Sequence, residues 1–67
     1  METLADALPR EQERVRELIV IYESIGAPGA FALATMKNSL RDADRASVSG
    51  DVVSMLRALE DLRGYEA

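Results

Sequence analysis

A chain of 67 residues with no cysteine and no histidine has no disulfides and lacks thiolate and imidazole, the usual metal ligands and catalytic bases. A domain this small buries only about 60% of its unfolded surface, so self-association is the remaining route to extra stability. The balance of 48% apolar and 30% charged residues is globular, and a net charge of −4 disfavours nucleic acid and anionic membranes.

Residues 1–8 carry little periodic pattern and read as a flexible N-terminal arm, with Thr3 a capping candidate. Their acidic start lacks a basic stretch followed by an apolar one, so no secretory signal is expected. Pro9 suits the first position of a helix, where its missing N–H costs nothing. Val15, Leu18, Tyr22 and Ile25 then recur at spacings of three and four, which predicts a helix over 9–25 facing the core through that seam. Gly26-Ala27-Pro28-Gly29 breaks the chain, glycine capping and proline blocking continuation. A second helix is predicted over 29–47, burying Leu33, Met36, Leu40, Ala43 and Ser47. Ser49 or Asp51 suits the N-cap of a third, over 51–63, which buries Val52, Met55, Leu56, Leu59 and Leu62 and ends at Gly64. Residues 9–67 thus form a single all-α domain. Its loops are short, so consecutive helices are expected to pack antiparallel as a compact three-helix, oligomeric arrangement.

Leu18-Ile19-Val20-Ile21-Tyr22 is too apolar for a helix that packs only within its own chain, because five successive residues point nearly all round the axis. Ile19, Val20 and Ile21, with Phe31 at the start of the second helix, are the expected contact surface for another copy or a partner.

Signals for catalysis are absent: the serines have no base beside them, and Glu13 and Glu17 are surrounded by Arg10, Arg14 and Arg16 in a solvated ion-pair face. No enzyme activity, cofactor or metal is expected. Lys37, Arg41 and Arg45 recur at i, i+4 and i+8, a ridge of like charge that disfavours the helix unless neutralised. Asp42 and Asp44 can neutralise it at i,i+3. Otherwise an anion binds there, with Tyr22 available to stack on a base and free N–H groups near Gly29. A DNA-reading helix is not expected, since the second and third helices open on Gly29-Ala30-Phe31-Ala32 and Asp51-Val52-Val53-Ser54. Helix 1 carries glutamates where a membrane-surface helix carries lysine and arginine.

Two likenesses follow. The stretch from Ala43 to Leu62 resembles one hairpin of a tetratricopeptide repeat, and a single hairpin cannot build a solenoid. Through Leu8-Pro9-Arg10-Glu11-Gln12-Glu13-Arg14-Val15-Arg16-Glu17-Leu18, Gly29-Ala30-Phe31 and Ser49-Gly50-Asp51-Val52-Val53, the chain resembles small accessory proteins from the early regions of transposable temperate phages. That resemblance implies stoichiometric binding in the host cytoplasm: inhibition of a host defence complex or regulator, or sequestration of a cyclic nucleotide. Helical cyclic-nucleotide sponges use tyrosine and lysine, which fall on Tyr22 and Lys37 here. The expectation is therefore a cytoplasmic homo-oligomer, a dimer or larger, that inhibits a host protein. An oligomeric sponge holding a cyclic nucleotide at subunit junctions through Tyr22, Lys37, Arg41 and Arg45 is the first alternative, and a structural assembly module the second.

Overall fold

The computed structural model describes residues 2–66 and is all-helical among them. Helix α1 spans Leu4–Ile25, a 3₁₀ turn spans Ala27–Gly29, α2 spans Ala30–Ser49 and α3 spans Val52–Arg63.

The start of α1 corrects the expected arm, of which Met1 lies outside the described residues. The helix begins at Leu4, five residues before Pro9, because Thr3 and Asp6 form a reciprocal cap. The Asp6 N–H donates to Thr3 Oγ1 at 3.2 Å, and the Thr3 N–H donates to Asp6 Oδ2 at 3.3 Å. Ala7 and Leu8 are buried in the core, so this first turn is held from within as well. Pro9 accordingly sits inside the helix, not at its first position.

The α1–α2 connection is tight. Gly26 takes a φ of 84°, and Gly29 lies so close to α1 that a Cβ there would be 3.2 Å from the Tyr22 carbonyl oxygen. Gly50 closes α2 in the left-handed conformation, its N–H donating to the Ala46 carbonyl at 3.1 Å. Asp51, not Ser49, caps α3. Its carboxylate accepts from the Ser54 N–H at 3.3 Å and from the Ser54 hydroxyl at 2.6 Å, while Ser49 donates back to the Ala46 carbonyl.

The core joins Leu8, Val15, Leu18 and Ile19 of α1 to Met36, Leu40 and Ala43 of α2 and to Ala58, Leu59 and Leu62 of α3. On α1 the buried positions are 7, 8, 11, 12, 15, 18 and 19, a stripe two residues wide at every turn but the one at Val15. That width corrects the narrower seam read from the sequence: α1 packs against both α2 and α3, so it must bury the directions facing each. Ile19 belongs to this stripe, whereas Ile25, Ser47, Val52 and Leu56 are exposed.

Polar contacts lock the three helices together. Gln12 Nε2 donates to Asp44 Oδ1 at 2.8 Å. Arg14 reaches from α1 to the end of α3, donating to the carbonyls of Leu62 at 2.8 Å and Tyr65 at 2.7 Å while Glu11 accepts from its Nε. The segment after α3 is held by a hydrogen bond between the Tyr65 and Ser39 hydroxyls at 2.8 Å and by Tyr22 OH donating to the Glu66 carbonyl at 3.1 Å.

At 1.5 Å per residue, α1 and α2 are about 33 and 30 Å long and α3 only about 18 Å. The chain is drawn out to 36 × 22 × 15 Å, with a radius of gyration of 12.2 Å against roughly 11 Å for a rounder chain of this size.

Candidate functional site

Eight large apolar side chains are buried: Leu8, Val15, Leu18, Ile19, Met36, Leu40, Leu59 and Leu62. Eight others are exposed, and they are not scattered. Val20, Ile21, Ile25 and Phe31 lie astride the α1–α2 connection; Val48, Val52, Val53 and Leu56 lie astride the α2–α3 connection. A lone exposed leucine needs no explanation, whereas apolar residues exposed together make a candidate contact surface.

The first group stands where α3 has run out. The Leu62 carbonyl, at the end of α3, is bound by Arg14, and α1 continues another eleven residues to Ile25, about 16 Å further. Among the described residues, Tyr65 and Glu66 extend past that point to reach Ser39 and Tyr22. Over this stretch Val20 is 66% exposed, Ile21 48%, Ile25 52% and Phe31 86%. Of the four residues expected to form the contact surface, Val20, Ile21 and Phe31 are on the surface. Ile19, at 9%, is a core residue: one helical step of about 100° separates it from Val20, and that step crosses from the inside to the outside.

The residues expected around an anion do not come together within one chain. Tyr22 lies against Gly29, its hydroxyl engaged by Glu66, and Arg45 stands sixteen residues along from Gly29, about 24 Å at helical rise. Lys37 and Arg41 are exposed, and no carboxylate lies within 4.0 Å of either among the described residues. Asp44 turns instead to Gln12 and to Arg16, whose Nη2 is 3.9 Å away. Arg45 meets Asp42 at 3.8 Å.

No protein family, curated protein or solved structure matches this chain. Its surfaces therefore have to be read from their own chemistry. Among the described residues, no group of three or more acidic side chains is arranged to hold a metal ion, and no helix is long and apolar enough to cross a membrane.

The second corner was not anticipated from the sequence, where Val52 and Leu56 read as core. Both are exposed because α3 meets its neighbours through Ala58, Leu59 and Leu62, with Met55 half-buried. The available signal was the placing of Val48, Val52 and Val53 on both sides of the Ser49-Gly50-Asp51 break: a helix start that is apolar on consecutive positions cannot hide them all. Arg57, which lines a groove at this corner, was also missed, since nothing in its sequence neighbourhood distinguishes it from a solvated charge.

Proposed function

We propose that this chain is a non-enzymatic binding protein that pairs with a second copy of itself through the end of α1 and the start of α2, and acts by occupying a protein partner. The observation that carries this reading is that as many large apolar side chains are exposed as are fully buried among the described residues, four of the exposed ones, Val20, Ile21, Ile25 and Phe31, flanking the α1–α2 connection. A second copy laid there would supply the missing third layer. In this arrangement consecutive helices run antiparallel, and the acidic surplus of the chain, a net charge of −4, steers the assembly towards a basic surface. The resemblance to phage accessory proteins makes that partner a host protein in the host cytoplasm, blocked by stoichiometric binding.

Two alternatives use the same self-association. A cyclic-nucleotide sponge needs Tyr22 to meet the arginines, and here that requires residues from different copies. A purely structural assembly module shares the same self-contact and differs only in having no host partner.

The test is Ile21→Asp together with Phe31→Ser, both at exposed positions outside the core. Light scattering is expected to show a mass reduced to one chain, with helical circular dichroism retained in at least the Phe31→Ser protein. An oligomer of unchanged mass in both variants sinks the assignment of this surface.

A further inference from the structure

The α2–α3 corner carries a groove of about 370 Å³, lined by Asp42, Arg45, Ala46, Ser49, Ser54 and Arg57. Two guanidinium groups, one from each helix, therefore face a single recess in a chain whose net charge is −4. Their acidic neighbours leave them available. Arg45 meets Asp42 only at 3.8 Å, and both side chains are more than two-thirds exposed, so the pair is weak in water. Among the described residues Arg57 has no carboxylate within 4.0 Å. Asp51 is close enough for the Arg57 charge to act on it, but its carboxylate is turned to the Ser54 N–H and hydroxyl as the helix cap. The two serine hydroxyls already donate, to the Ala46 carbonyl and to Asp51, so the free donors of the groove are the two guanidinium forks.

We infer that this groove is an oxyanion site, in which Arg45 and Arg57 take a carboxylate or phosphate between them. A planar fork with parallel N–H groups matches two oxygens of either anion, and two forks from different helices fix its orientation. No aromatic side chain lines the groove, so the ligand is read by its charge and not by a stacked base. The site does not depend on self-association at the α1–α2 end, and it places Arg45 with Arg57 instead of with Lys37 and Arg41.

The experiment is an amide-resolved NMR titration of the full chain with inorganic pyrophosphate and, separately, with tetraglutamate. Saturable shifts centred on Arg45, Ser49, Ser54 and Arg57 are expected, with affinity falling by about tenfold in Arg57→Gln, an exposed substitution. Saturation by pyrophosphate alone identifies a phosphate ligand, by tetraglutamate alone an acidic peptide, and by both the shared chemistry. No saturable shift with either probe, shifts centred on Lys37 and Arg41, or affinity unchanged in Arg57→Gln overturns the proposal.

Discussion

Ile19 and Val20 are adjacent in the chain and opposite in environment, the first in the core and the second on the surface. The contrast sets a direct expectation. In chain diluted to monomer, Ile19→Ala should lower stability by about 2–5 kcal/mol, the range for emptying a packed aliphatic site, and Val20→Ala should stay within about 0.5 kcal/mol. Chemical denaturation of the two variants measures both. Asp51 gives a second expectation at this scale. Hydrogen bonds from the Ser54 hydroxyl, and then from the Ser54 N–H, hold its pKa below the ordinary aspartate value of 3.8. A folded-state pKa below the unfolded one contributes stability above the unfolded value and loses it as pH falls through the folded one. The stability difference between the native chain and Asp51→Asn should therefore shrink as pH drops below about 4. Thermal melts at several acidic pH values test this, and a difference that holds constant down to pH of about 2 contradicts it.

Pro9 decides how α1 is built. As the sixth residue of a helix from Leu4, it removes the bond its N–H would have made to the Ala5 carbonyl and crowds that turn. Pro9→Ala should then stabilise the chain, by about 1–3 kcal/mol in thermal or urea unfolding. Were Pro9 the first helical residue, the same change would bring nothing. The ends of the elements show what was legible in the sequence and what was not. Helix ends at Ile25 and Arg63 were readable, because Gly26-Ala27-Pro28-Gly29 and Gly64 punctuate the chain there. The true start of α1 was hidden because proline is the stronger signal, and because Asp6 fills the place in the reciprocal cap where glutamate or glutamine is the familiar sign. The face of α1 was half legible: Val15 and Leu18 follow from spacing alone, but Ile19 depends on α1 having two neighbours, which only the tertiary arrangement fixes. Arg14 is similar. Its hold on the Leu62 and Tyr65 carbonyls joins residues about fifty positions apart and leaves no local trace.

At the scale of the molecule, the disparity in helix length governs the rest. Three helices of equal length could shield one another along their whole extent. Here α3 stops near Arg14, and the longer pair carries its apolar residues past it. The sequence announced the excess through Leu18-Ile19-Val20-Ile21-Tyr22, but could not say which members were surplus until the position of α3 was known. The exposure of Val20, Ile21 and Phe31 was thus legible, whereas the burial of Ile19 was not. Helical spacing on α2 could not report that Tyr22 lies at the opposite end from Arg45, so that within one chain the four residues expected around a nucleotide stand apart. Without a matching family or structure, the function rests on whether the surface beyond α3 is covered by a second copy. Sedimentation equilibrium over a dilution series measures that most directly. A self-associating chain has at least twice the 7.3 kDa chain mass at high concentration, falling towards 7.3 kDa on dilution and fixed there in Phe31→Ser. A native chain that stays at 7.3 kDa throughout, with its helical circular dichroism intact, contradicts self-association.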